Sequence, residues 1–182
     1  MKQDIIGHKK ATARLKTKRA VLFMLTAILF VGCATQQQRA EQKARTQAAV
    51  REALTKRHWH IDVTSMNTMR YGSRTVTPDF FLELHGDTLR SYLPYLGQVH
   101  QAPMLSPSQG LNFEVPLLNY QESRPKSYLS LMEMDVKTQE DSYHYRVELY
   151  DTGLAYIQVL SQNRDLISFD GNFDETYNAE SE

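Results

Sequence analysis

Apolar and polar residues alternate along most of the chain beyond His58, and this pattern predicts a β-rich domain. Trp59, Ile61 and Val63 alternate with polar neighbours, as is typical of a half-buried strand. Gly86-Asp87 separates two further runs and predicts a hairpin turn. The two runs on either side of this turn are residues 80–85 and 88–93, and further short strand-like runs lie at 111–115 and 128–136.

Two of these runs contain a signal for a strand end or for an irregularity within the strand. Pro116 follows the run 111–115 and is expected to end that strand. Within 128–136 the apolar phase shifts between Leu131 and Met132, which predicts a β-bulge.

The last third of the chain gives the clearest strand pattern. Alternating runs at 143–149 and 155–159 flank the tripeptide Asp151-Thr152-Gly153, and a turn at 162–164 leads into a strand at 166–169. Short strands joined by tight turns predict an antiparallel meander.

One helix is predicted before the strands. Residues 35–57 contain no Gly or Pro and are rich in strong helix formers. The first half is polar all round, whereas Ala49, Val50, Ala53 and Leu54 form an apolar patch that could pack on a sheet.

Together these elements predict a mainly β (α+β) fold. About eight antiparallel strands would form a strongly curved sheet or a small barrel, with the N-terminal helix packed against it. The predicted organisation is a lipoprotein signal peptide (1–32), a lipid-anchored polar tether (33–47), a β-rich domain (48–173) and an acidic disordered tail (174–182).

The N-terminal segment carries an export signal. A basic stretch runs into twelve residues, 20–31, of which only Thr26 is polar. This apolar run is short for a spanning helix, which needs about 20 residues, and suits a signal peptide. Gly32-Cys33 resembles a bacterial lipobox, so Cys33 is the predicted lipidation site.

Other outcomes at this segment are ordinary signal peptidase cleavage at Gly32-Cys33-Ala34 and retention as an uncleaved anchor. A lipid-anchored chain would belong to the bacterial cell envelope. Ala34 stands where an Asp would retain a lipoprotein in the inner membrane, so it resembles the outer-membrane default, and a domain in the periplasm is expected.

Charge and cysteine content argue against nucleic-acid binding, a disulfide framework and a Cys-rich zinc site. The net charge is zero overall, but residues 58–182 hold eight basic and eighteen acidic side chains, so nucleic-acid binding is not expected. A single cysteine excludes an intramolecular disulfide framework and a Cys-rich zinc site. No cofactor motif is present in the sequence, and no cofactor is expected.

Two sets of residues are candidates for binding. His58, His60 and Asp62 would share one face of a strand and are weak candidate metal ligands, the alternative being solvated polar residues. The segment Tyr92-Leu93-Pro94-Tyr95 is either an ordered corner or the rim of a ligand site. The possible rim residues are Tyr92, Pro94, Tyr95 and Met104.

Asp151-Thr152-Gly153 matches the catalytic tripeptide of aspartic proteases. The match is three residues long, and a tight turn explains it without chemistry. No catalytic constellation is identified, and the sequence favours a protein that is not an enzyme.

Three blocks of the sequence are distinctive: Ser91–Gly97, Gly110–Glu114 and Ser161–Gly171. They resemble domain-of-unknown-function family 4251, whose members are exported lipoproteins of Bacteroidetes. Leu96 and Gln98 depart from the Phe and Arg expected after the first block. The resemblance implies an exported location and a β-rich fold, and it implies no reaction.

Three functions remain open on the sequence. The first is a noncatalytic envelope module that binds a protein or a glycan. The second is a carrier that encloses a lipid or another hydrophobic ligand in the curved sheet. The third is a hydrolase with an unrecognised site. Phe81, Tyr92, Met132 and Met134 distinguish the first two, because in a carrier they would line a cavity.

Overall fold

The computed structural model describes residues 36–97 and 110–177. The chain divides into two units, 1–44 and 45–182. Of the first unit, residues 36–44 are described and are helical and exposed. Helix α1 covers 36–56. The strands are β1 (His58–Thr68), β2 (Gly72–Thr75), β3 (Phe81–His85), β4 (Thr88–Pro94), β5 (Gly110–Lys126), β6 (Leu129–Lys137), β7 (Ser142–Tyr150), β8 (Leu154–Ser161) and β9 (Ile167–Phe173).

The strands form a closed antiparallel barrel. Strands β1 and β3 to β9 pair in sequence, and β9 pairs back onto β1, which closes a ring of eight. Strand β2 is an extra strand beside the second half of β1. The predicted mainly β fold with one helix is therefore confirmed, and the sheet is a barrel.

Strand β1 is the seam of the barrel. Along one edge it pairs first with β3 and then with β2, and along the other edge with β9. The β1–β9 register shifts between Val63 and Ser65. Gly171 of β9 lies beside this shift, and a Cβ atom there would be 2.5 Å from the carbonyl oxygen of Asp62. The two strands therefore approach each other at a distance that only glycine permits.

Side chains fill the barrel where the structure describes it. Met132 and Met134 are fully buried among apolar residues from β1, β3, β4 and β7 to β9. Tyr145 is also fully buried, and its hydroxyl donates a hydrogen bond to Ser91 Oγ at 3.1 Å. Ser91 in turn donates to the carbonyl of Leu111 at 2.7 Å, so the polar atoms of this interior pair are satisfied.

The apolar patch of α1 joins the core, as the sequence predicts. Val50 and Leu54 are buried in the same cluster as the barrel residues, while Ala53 packs against it. The second half of α1 therefore packs on the barrel through these apolar side chains, whereas the first half is polar all round.

The tripeptide at 151–153 is a turn between β7 and β8, which confirms the turn interpretation. Gly153 has a φ of +84°, a conformation that favours glycine. The Asp151 side chain is 5% exposed, and Arg124 Nη2 donates to its two oxygens at 2.8 and 2.9 Å. Gln47 also donates to this carboxylate, and Arg51 lies 3.8 Å away. Asp151 thus links α1, β5 and the β7–β8 turn.

Pro116 does not end a strand. Strand β5 continues to Lys126, and Pro116 lies where β5 changes partner from β4 to β6. A residue without an N–H is tolerated at this position because it makes the last pair with β4 and none with β6.

The bulge predicted in β6 lies in its partner instead. Ser130 and Met132 are both buried, whereas the β5–β6 register shifts on the β5 side, between Leu117 and Asn119 and between Ser123 and Lys126. The prediction was wrong because Ser130 is a polar residue at an inward position, so the apolar pattern changes phase there without a bulge.

Part of the acidic tail makes defined contacts. The amide of Asp174 donates to the carbonyl of His60 at 3.0 Å, and Thr46 donates to Glu175. Residues 178–182 lie outside the described residues. Among the described residues, no helix has the length and apolar character to cross a membrane.

Candidate functional site

Seven aromatic and histidine rings form a connected row beside β1, β3 and β4, which we call the aromatic row. Alternation in β1 and β3 directs Trp59 and Leu84 inward and therefore places His58 and His85 on the outer face. Neighbouring ring centroids lie 4.6 to 5.8 Å apart, within the range of favourable ring contacts. In order of contact the rings are Phe80, Tyr92, Phe81, His60, Tyr177, His58 and His85.

Strand register aligns the central part of the row. Asp62 pairs with Phe81, and Phe81 pairs with Tyr92 on the next strand. Directly cross-strand side chains on one face are close enough to interact. Five of the seven rings thus lie on three hydrogen-bonded strands, which hold them rigidly, whereas Phe80 and Tyr177 lie outside the strands.

A buried carboxylate lies beneath the centre of the row. The Glu83 side chain is 8% exposed although it belongs to the outer face of β3. Tyr177 donates its hydroxyl hydrogen bond to Glu83, and His60 Nδ1 lies 3.4 Å from the other carboxylate oxygen. Arg90 Nη1 is 3.9 Å from that same oxygen. Tyr177 therefore covers this carboxylate and ties the C-terminal segment to the sheet.

Tyr177 also stacks on two imidazoles. Its ring centroid lies 4.8 Å from that of His60 and 5.4 Å from that of His58. Burial lowers the pKa of His58, and the adjacent His85 lowers it further. Both effects disfavour the charged form of this imidazole.

The three weak metal candidates share this face but are not grouped as a set of three ligands. His60 Nε2 lies 3.4 Å from Asp62, while His58 stacks on His85 and Tyr177. Within 36–97 and 110–177, no group of three or more His, Cys, Asp or Glu side chains is placed to hold a metal ion.

The predicted rim residues divide between two places. Tyr92 is 41% exposed and belongs to the aromatic row. Tyr95 follows Pro94, the last residue of β4, and its ring packs 5.2 Å from the guanidinium of Arg164. Its hydroxyl donates to the carbonyl of Asp165, and burial raises its pKa. Met104 lies outside the described residues.

A shallow depression of about 330 Å³ adjoins the Tyr92 end of the row. Its lining comes from β3, β4 and β5 and combines aromatic rings with polar side chains. The residues that line it are Phe81, Arg90, Ser91, Tyr92, Asn112, Phe113 and Glu114.

A groove of about 420 Å³ adjoins Tyr177 and His58, in the second half of the row. Its walls are α1 residues 49–56 and the segment Phe173–Tyr177. Lys56 and Glu52, which form an exposed ion pair at 2.7 Å, contribute to one wall. Depression and groove therefore adjoin opposite halves of the aromatic row.

A separate pair of titratable groups lies on the outer face of β6 and β7. His144 Nδ1 is 2.7 Å from Asp135, and this hydrogen bond, with a second from Asn119, lowers the pKa of Asp135. Both side chains of the pair are about two-fifths exposed, so the arrangement is that of a surface hydrogen bond.

Sequence reasoning missed Tyr177 and the burial of Glu83. Tyr177 lies in a segment whose acidic composition indicated disorder, and no local pattern reveals that its ring reaches β1. Phe81 was an available signal, because its alternation with Leu82 and Leu84 places it on the outer face of β3.

Comparisons with known proteins give a family and a fold. The family model for a domain of unknown function, DUF4251, matches residues 41–173. A crystal structure of a DUF4251 family protein from Bacteroides eggerthii is similar, with a TM-score of 0.54 and 14% sequence identity over 74% of this chain and 89% of that chain. Comparison with curated proteins gives no match.

Proposed function

The chain belongs to the DUF4251 family, and from this premise we propose that it is a noncatalytic, lipid-anchored binding module of the bacterial cell envelope. The observation that carries the binding role is the aromatic row on the outside of a filled barrel. Tyr92 and His85 are the exposed rings of this row, and the other five are partly exposed. Aromatic side chains that reach the surface of a sheet offer large contact area at a low cost in conformational entropy.

The packing of the interior favours this role over that of a carrier. A carrier of a hydrophobic ligand needs a cavity inside the barrel. Met132 and Met134 fill the position where such a cavity would lie, while Phe81 and Tyr92 belong to the outer aromatic row. The surface available for recognition is therefore external.

The proposed location rests on the sequence around Cys33. Diacylglyceryl transfer to this thiol would supply two acyl chains, and acylation of the amino terminus freed by cleavage would add a third. Each buried methylene contributes about 0.8 kcal/mol. Ala34 after the cysteine supports the outer membrane, with the domain in the periplasm. The partner is an envelope protein or a glycan.

Replacing Cys33 with Ser is expected to move the protein from the membrane fraction to the soluble fraction, because the acceptor of the lipid is lost. Fractionation of cells followed by immunoblotting measures the distribution. Thr35→Ser, two residues away, is the matched control and is expected to stay in the membrane fraction, because it leaves the thiol and its flanking residues unchanged. The immunoblot also shows from the size of the band whether residues 1–32 have been removed. An unchanged distribution of a Cys33→Ser protein that has lost this segment contradicts the lipid anchor.

Photo-crosslinking tests the binding role separately. With p-benzoylphenylalanine at position 92, irradiation of intact cells is expected to yield an adduct, because Tyr92 lies in the proposed binding surface. The same amino acid at position 128, where Tyr128 is 50% exposed outside the row, is the control and yields none. Equal labelling at the two positions, or none at either, contradicts a binding role for the row.

A further inference from the structure

The depression beside Tyr92 has a regular construction across three strands. One line of paired residues contains Phe81, Tyr92 and Asn112, and the next contains Glu83, Arg90 and Glu114. The first line supplies two aromatic rings and an amide. The second supplies a guanidinium, which lies 5.3 Å above the Phe81 ring, and an exposed carboxylate.

Three polar groups in the depression have no protein partner within the described residues. They are the hydroxyl of Tyr92, the side-chain amide of Asn112 and the carboxylate of Glu114. Among them they provide both donors and acceptors. Polar groups gathered beside exposed rings and left without protein partners are available to a ligand.

We propose that this depression binds a saccharide, an inference that rests on the proposed role as a binding module. A sugar ring has apolar C–H faces that can lie on Tyr92 or Phe81, and its hydroxyl groups both donate and accept hydrogen bonds. Phenol, amide, carboxylate and guanidinium are suitable partners for such hydroxyls.

The size and charge of the depression also fit a small neutral ligand. Its volume of about 330 Å³ is at the lower end of the range for ligand sites, about 300–1,000 Å³, which suits one or two sugar rings. A protein partner would typically cover about 800 Å² of each surface. Arg90 lies near both Glu83 and Glu114, so the site presents no strong excess of cationic charge to attract an anion.

Titration of the intact protein with defined trisaccharides tests the proposal. The protein is kept in a detergent without a sugar headgroup, and chitotriose, cellotriose, maltotriose and mannotriose are examined by saturation-transfer NMR and calorimetry. At least one is expected to bind. Tyr92→Ala is expected to weaken this binding at least tenfold and Asn112→Ala severalfold, while Tyr128→Ala, also an exposed tyrosine, leaves it unchanged.

Three results would overturn the proposal. The first is absence of binding by all four trisaccharides at millimolar concentration, and the second is equal affinity of Tyr92→Ala and the unaltered protein. The third is a discrete protein adduct from position 92 without saccharide binding. That last result would reject the saccharide and leave the binding module intact, whereas failure of crosslinking and saccharide binding together would reject both.

Discussion

Replacing Asp151 with Ala is expected to lower the free energy of unfolding by about 3 kcal/mol. The carboxylate is nearly buried and accepts hydrogen bonds from Arg124 and Gln47. Its removal leaves the Arg124 guanidinium without its anion and detaches α1 from the β7–β8 turn. The loss is measured by urea unfolding monitored by circular dichroism.

Asp87→Ala is the matched control for Asp151→Ala. Asp87 also pairs with an arginine, Arg57, at 2.8 Å, but its side chain is 79% exposed. Exposed pairs of this kind contribute about 0.2–1 kcal/mol. If the two variants lose similar stability, the Asp151 carboxylate is not the anchor that its contacts indicate. A folded Asp151→Ala protein is expected to bind the trisaccharide as the unaltered protein does, because Asp151 contributes to stability and lies outside the proposed saccharide site.

Replacing Gly171 with Ala is expected to cost about 3 kcal/mol, at the upper end of the usual penalty for overpacking. The added methyl would meet the Asp62 carbonyl oxygen at 2.5 Å and Ile61 Cγ2 at 2.9 Å. The nearest atom is the backbone oxygen of Asp62, which cannot rotate away as a side chain could. The clash is therefore relieved only if β1 and β9 move apart. Urea unfolding gives the change in stability, and amide hydrogen exchange locates it in the β1–β9 pairs.

Gly72→Ala is the control for Gly171→Ala, because it introduces backbone strain without steric crowding. Gly72 has a φ of +70° and open space around the Cβ position, so an alanine there suffers strain alone, about 1–2 kcal/mol. Faster exchange confined to β1 and β9 is expected only for Gly171→Ala. Equal exchange in the two variants would show that close approach at the seam does not limit stability.

Local patterns in the sequence predict the faces of the strands well. Trp59, Ile61 and Val63 are buried as their alternation indicates, and His60 is on the opposite face. The helix patch at Val50 and Leu54 is also correct. These successes share a cause, since each depends on a period within one element.

Features that depend on distant residues were not predictable from local pattern. Strand β2 is exposed throughout and carries no apolar alternation, so its sequence gives no strand signal. Closure depends on pairing between Val63 and Gly171, and the aromatic row depends on Tyr177 reaching His60. No single-sequence period encodes either contact, because both join segments more than a hundred residues apart.

The β1–β9 seam also determines when the domain can finish folding. Its pairs join residues about 100 positions apart, such as Thr68 with Ile167. Contacts of such long range form slowly, because bringing distant segments together costs loop-closure entropy before the contact stabilises the fold. If the chain crosses a membrane from its N-terminus, β1 emerges first and cannot pair with β9 until β9, the last strand, has also crossed. In the proposed exported protein, the seam would therefore delay completion of the barrel until the whole domain is on the far side of the membrane.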